Sequence, residues 1–523
     1  MRFMNEKKPI LRQIALRLPE LISFCCAALM LCVIPLYFDD AFFNINRCKV
    51  SLIRAVIPWL GVLMIGALLV SRLLKGKGRI EKPTAPDICM AVFLLACVIS
   101  CSIQGFSEDV MEAPNGRSLG LWLMLCLCAA YFIIALGRMD GRFLTAGMLV
   151  CAALCAGLGV LNAAGIDPLG FYQNINRKLK ITFFSTIGNA DFFGTYLLMM
   201  FGMAASVMLF SKKRVFRLLA AGCSVLLVLG MLVSRTDSAA AGMLLVCLIV
   251  SVLACGNWMR MSCAALLWAV CFALIPAAQA ILNKNQYHPQ MDGLLSLLIK
   301  THAVHVLPVC FVVAAAAFMW LGRRGVHAPS RKTAGCVMLV AMLIMIACFI
   351  GMVVWFTVMK PEADLGGLST FLRFDDQWGN YRGFVYIRSI RAFADYSMLE
   401  KLFGKGLGQA LTALTPYCDN PDAIQRAGGV FTDAHCQILQ FLLTGGLVGA
   451  SAFLAFYVSM LYSCAKAMRE DPILCGCFAA LAGYGIVIAV NVAQPILLST
   501  YFPLCGLAVS RMRRQKKGAV HEP

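Results

Sequence analysis

The sequence predicts an all-α, polytopic membrane protein with about fourteen (twelve to fourteen) transmembrane helices and one large extracytoplasmic loop between late helices. Composition is the first reason: of 523 residues, 60% are hydrophobic and only 14% charged, and the mean hydropathy of +0.79 is too high for a soluble globular domain. The second is the recurrence of apolar runs long enough to cross about 30 Å of hydrocarbon, separated by short polar segments. The third is charge placement. The net charge of +20 sits in short Lys/Arg clusters between apolar runs rather than along one face, which points to a membrane surface and away from nucleic acid.

Taken in order, the runs lie near residues 21–38, 55–73, 87–105, 118–137, 143–165, 192–210 and 216–234, then 238–256, 261–281, 303–322, 334–358, 437–463, 473–490 and 495–510. Before the first lie Arg2, Lys7, Lys8, Arg12 and Arg17, and no small-residue cleavage site follows, so the first run is expected to stay as a span. The pair from 216 to 256 is split only by SRTD, and the last pair only by NVAQP. An even number of spans puts both termini on one side. That side collects 28 Lys and Arg against 18 on the other, 8 of them in the long loop, so cytoplasmic termini are expected. Most of the 25 cysteines lie inside apolar runs, as Cys97 and Cys155 do, and read as small core residues. Cys48, Cys418 and Cys436 fall outside or beside the runs, where a Cys418–Cys436 bridge is conceivable.

The chain then divides into N-terminal helices (1–180), a core (181–463) containing the outer loop 359–436, and C-terminal helices with a basic tail (464–523). No Asp, Glu, Lys or Arg falls near the middle of a run, which weighs against an ion-coupled carrier. Loops of such length on a rigid scaffold tend to carry function. Within this one, GNYRGFVYIRSIRAFADY (379–396) reads as an amphipathic helix with an apolar stripe of Phe384, Ile387, Ile390 and Ala394, and with Arg388, Arg391 and Asp395 on another face. Two uses fit it: an interfacial anchor with an Arg391–Asp395 pair, or an anion clamp in which Arg382, Arg388 and Arg391 hold a diphosphate by bidentate bonds. Arg177, Lys178 and Lys180 form a second basic cluster on the same side. Of six histidines, His302 and His305 lack a convincing third zinc ligand, whereas His435 follows Asp433 at the lip of an apolar helix.

Four stretches in this order, TIGNADFFGTYL, SRTDSAAAG, RGFVYIRS with LFGKGLG, and AHCQILQFLLTGGLVG, resemble the O-antigen ligase and polymerase family of bacterial membrane glycosyltransferases across roughly residues 180–460. The resemblance implies an undecaprenyl-diphosphate-linked glycan as donor and a glycan or other surface polymer as acceptor, joined at the outer face of the bacterial cytoplasmic membrane without metal or other cofactor. It further implies that Arg382 and Arg388, with Arg391, bind the diphosphate and that His435, oriented by Asp433, activates the acceptor hydroxyl. Arg177, Lys178, Lys180 and Asn189 are then candidate substrate contacts. Cys436 stands where the family usually has Asn, and Ala239 where an arginine is expected; Arg235, one helical turn earlier, is the candidate replacement. Competing expectations are a peptidoglycan-type glycan polymerase, a flippase or permease for lipid-linked sugars, and a non-catalytic scaffold.

Overall fold

The computed structural model describes residues 2–75, 82–114, 117–173, 175–291, 293–418, 421–426, 432–491 and 494–521. It is 78% helical, and its strands are a two-residue antiparallel pair, Phe183–Phe184 with Gly188–Asn189. Helix α1 (Arg2–Ala28) runs on through a π-helical turn to Leu36. It is followed by α2 (Ile45–Lys75), α3 (Ala85–Ile103), α4 (Leu121–Leu136), α5 (Arg142–Ala163), α6 (Ala190–Phe210) and α7 (Arg214–Ser234). Then come α8 (Asp237–Ala254), α9 (Trp258–Lys284), α10 (Ala303–Arg323) and α11 (Arg331–Val354). The loop helix α12 (Trp378–Ala394) precedes α13 (Gln437–Ala467), α14 (Pro472–Val490) and α15 (Pro495–His521).

Each of the fourteen predicted apolar runs falls in one of these helices. Among the described residues, twelve are long and apolar enough to cross a membrane; α4, with 16 residues, is shorter, and α15, 27 residues long and ending in the basic tail, is not among the twelve. Helix α6 is the axis of the bundle, enclosed by α5, α7, α8 and α14. At the periphery α11 buries no residue at all, and its uniformly apolar surface is that of a helix solvated by lipid.

Local chemistry sets the helix ends. Thr84 and Asp87 form a capping box at the start of α3, and Asp471 accepts from the Ile473 and Leu474 amides at 3.0 and 3.2 Å to open α14. Lys49, counted in sequence with a polar loop, belongs to α2 and is fully buried. Its Nζ donates to the carbonyls of Ile34, Pro35 and Tyr37 at 2.9, 3.2 and 2.6 Å, so the ammonium closes the C-terminal end of α1.

The segment from 360 to 432 folds into short helices with a small core of its own. Phe384, Val385, Ala392 and Tyr396 pack on Ala413, Leu414, Ala434 and Leu443. This overturns the predicted stripe on α12. The buried side is Phe384, Val385, Arg388, Ser389 and Ala392, while Ile390 and Ala394 face outward, because the covering comes from the loop's own later turns and α13 rather than from a flat surface. Two of the quoted glycine motifs meet here. Gly446 kinks α13 at φ 65°, where a Cβ would stand 2.4 Å from the Leu402 carbonyl carbon, and Gly404, at φ 74°, is pressed as closely on Thr444. The amides of Lys405 and Gly406 donate to the carbonyls of Leu443 and Thr444, both at 3.0 Å, so the kink exposes helix carbonyls that the loop then satisfies.

Candidate active site

The turn that leads into α13 is closed by Gln440, whose side-chain oxygen accepts from the Ala434 amide at 3.0 Å. That reversal leaves His435 at φ 46°, a left-handed backbone uncommon outside glycine. Its imidazole is half-buried, with 38% of the side chain exposed, and its Nδ1 lies 3.5 Å from Asp433 Oδ1, a close electrostatic approach. Asp433 is almost wholly buried and fully engaged. It accepts from the His435 amide at 3.0 Å through Oδ1, and pairs through Oδ2 with Arg117 at 3.0 Å. Arg117, on the approach to α4, also donates from Nε to Thr432 Oγ1 at 3.2 Å and lies over the Phe192 ring at the start of α6. An ion pair between residues far apart in sequence thus pins His435 to the central helix.

Arg382 reaches the same place. Gly379, Asn380 and Tyr381 are all left-handed, so the regular part of α12 begins at Arg382. Its Nε donates to the Val490 carbonyl at 2.8 Å and its Nη1 to Gly379 at 3.0 Å. Among the described residues Nη2 makes no hydrogen bond. Tyr386, one turn on, donates to the carbonyls of His435 and Ala489 at 3.1 and 3.3 Å and locks α12 to the turn. The charged groups that act on His435 are Asp433, Arg117, Arg382 and Asp191, and those acting on Asp191 are Arg382, His435, Asp237 and Arg117. These residues form one cluster at the end of α6. Desolvation lowers the His435 pKa below its ordinary value. Asp433 opposes this, Arg117 and Arg382 lower it further, and Asp191 opposes.

The other predicted residues are placed differently. Arg388 is buried, ion-paired with Asp376 and stacked 4.0 Å from the centre of the Phe384 ring, so its guanidinium faces the loop's interior. Arg391 is exposed on the last turn of α12, and its expected partner Asp395 accepts from the Tyr417 hydroxyl at 2.8 Å instead. Arg235, left-handed at φ 59° between α7 and α8, donates to the carbonyls of Ile181 and Gln290 at 2.7 and 3.3 Å and ties two loops together. Arg177 lies over the Tyr287 ring at 5.1 Å; Lys178 is exposed and Lys180 half-buried on the same short turn of helix. Asn189 caps α6, accepting from the Asp191 amide at 2.9 Å. Cys418 and Cys436 are not bridged to each other; Cys418 Sγ faces the Leu414 carbonyl and Cys436 Sγ the Ile488 carbonyl.

Sequence reading missed Arg117 and Asp191. Asp191 lay inside a quoted motif, but nothing local separated it from a first-turn helix acid. Arg117 carried no signal apart from its place in a short polar segment.

Residues 294–454, which carry α12, Arg382, Asp433 and His435, match the family model described as O-Antigen ligase. This segment, less than a third of the chain, is similar to O-antigen ligases. No match was found among curated proteins. Arg117 and Asp191 lie outside the matched segment, so the cluster joins that segment to earlier parts of the chain.

Proposed function

We propose that the protein transfers a glycan from a polyprenyl diphosphate carrier to an acceptor hydroxyl at the outer face of the bacterial cytoplasmic membrane, with both chain termini in the cytoplasm. The observation that carries this reading is His435, set beside the buried Asp433 in one charged cluster with Arg382 at the end of a membrane helix. The acceptor oxygen attacks the anomeric carbon and forms the new glycosidic bond. The bond from that carbon to the carrier phosphate breaks, and the diphosphate leaves with its electron pair. The acceptor proton passes to His435. Asp433 beside Nδ1 favours the tautomer protonated there, which leaves the Nε2 lone pair as the base.

Arg382 Nη2 meets the departing diphosphate. Guanidinium charge fixed by Val490 and Gly379 needs no reorganisation as negative charge develops, and it supplies what a metal ion otherwise would. Arg388 serves the same helix by holding Asp376, and Arg391, Arg235 and the 177–180 cluster are assigned as further carrier and glycan contacts. The test uses purified protein, a polyprenyl-diphosphate-linked glycan and an acceptor, with product read by mass spectrometry. Transfer by the wild type and its loss in His435→Ala are expected; a His435→Ala variant with intact turnover removes the histidine from the mechanism. Glycans from a deletion strain separate the two activities, single repeats indicating a polymerase and full-length chains retained on the carrier a ligase.

A further inference from the structure

At the end of the bundle opposite His435, a cavity of about 470 Å³ opens between the starts of α5, α7 and α14, the end of α6, and α15. Its floor is apolar, with Leu149, Phe216 and Ile473 among its lining, and its rim carries Lys212 and Lys213. The remaining charges are already committed. Asp471 caps α14 and holds Arg511 at 2.7 Å, Glu470 binds Arg260 at 2.9 Å, and Arg142 binds Asp140 at 2.9 Å. Among the described residues, Lys212 and Lys213 form no ion pair, and both are exposed. Arg260 holds the Glu470 carboxyl below its usual range and Lys212 is close enough to help, but with Arg142 and Arg511 beside them the two lysines leave the rim positive over an apolar slot. Outside the slot Phe143 is 77% and Val215 76% exposed, beside the exposed Arg214 and Arg217, so apolar surface that can face lipid adjoins further positive charge at the opening.

We infer that this cavity binds an anionic phospholipid, with the phosphate at Lys212 and Lys213 and an acyl chain against Leu149 and Phe216. A zwitterionic lipid adds an ammonium group that the lysines repel, and a free phosphate leaves the floor uncovered, so charge and shape together select an anionic amphiphile. The site is remote from His435, and the inference stands whether or not the protein transfers glycans.

The test is native mass spectrometry of the full-length chain purified in neutral detergent and titrated with phosphatidylglycerol, phosphatidylethanolamine or inorganic phosphate. Phosphatidylglycerol should be retained in preference to phosphatidylethanolamine. At about fivefold per lysine at a charged surface, the double variant Lys212→Gln, Lys213→Gln should weaken phosphatidylglycerol binding roughly twenty-five-fold, to the level of the zwitterionic lipid. Ala146→Phe, which narrows the floor without altering charge, should weaken both lipids. Equal retention of the two lipids by the wild type, displacement of phosphatidylglycerol by inorganic phosphate, or full retention by the double variant each overturns the assignment. Both lysines are exposed, so the double variant remains decisive even if Ala146→Phe fails to fold.

Discussion

At the end of the bundle that holds the C-terminal tail, Arg513 crosses from α15 to Asp87 at 2.7 Å, Tyr131 donates to the same carboxylate at 3.0 Å, and Arg511 bridges Asp471 and Asp140. At the other end Arg117 and Asp433 are paired at 3.0 Å, yet Arg382 keeps part of its fork free and His435 keeps more than a third of its side chain exposed. The same residue types thus do different work. Arg511 and Arg513 are answered by carboxylates and fasten helices together, whereas among the described residues Arg382 is answered only by carbonyls. Left-handed backbone occurs at both ends, at Arg138 and Arg469 beside the tail and at Arg117, Arg235, Asn380, Tyr381 and His435 around the cluster. Such strain persists only where surrounding contacts enforce it.

Breaking the closed end should have the largest effect. Arg513→Met leaves Asp87 buried and unpaired, at a cost of about 3 to 5 kcal/mol. The amount of folded protein in membranes and its melting temperature should both fall, and Asp87→Asn in the same chain should restore part of the loss. Unchanged accumulation would show that these pairs do not hold the helices.

At the open end the loss should be of activity and not of fold. His435→Ala should slow transfer roughly a hundredfold, the usual scale for a general base, with melting temperature and donor binding near wild type. Arg382→Lys should cost about tenfold or more, because an ammonium cannot keep the Val490 bond and reach a diphosphate at once. Arg388→Lys should behave differently: if its task is to hold Asp376, then Asp376→Asn should reproduce its loss, and a defect found only in the arginine variant would return Arg388 to the diphosphate.

The smallest effect is the sharpest in sign. The wild-type rate should fall as pH drops through a His435 pKa lying below the ordinary value of about 6.5, since an imidazolium cannot accept the acceptor's proton. Arg117→Gln removes a cation that lowers this pKa, so the acid limb should move to higher pH. Asp433→Asn removes the carboxylate that raises it, so the limb should move to lower pH while the plateau falls. Two variants moving the limb in the same direction would break the assignment of Arg117 and Asp433 as opposed influences on one ring.

How much of this was legible varied by element. The apolar runs placed every long helix because burial in hydrocarbon demands an uninterrupted stretch of the chain, which a sequence displays directly. The glycine pair of α13 and the Gly-Lys-Gly of the loop were legible as motifs, but their mutual docking was not. Neither motif carries a sign of what will approach it.

By itself the sequence determined the helical membrane class, the order of the helices, the position of the long segment between α11 and α13, and the local pairing of Asp433 with His435, all of which depend on residues close along the chain. Only the tertiary structure decided which face of α12 is buried, that Arg388 turns inward to Asp376 while Arg382 stays open, and that Arg117 and Asp191 join His435. The physical reason is that an arginine's role depends on what stands opposite its guanidinium, and the partners here come from helices far away along the chain.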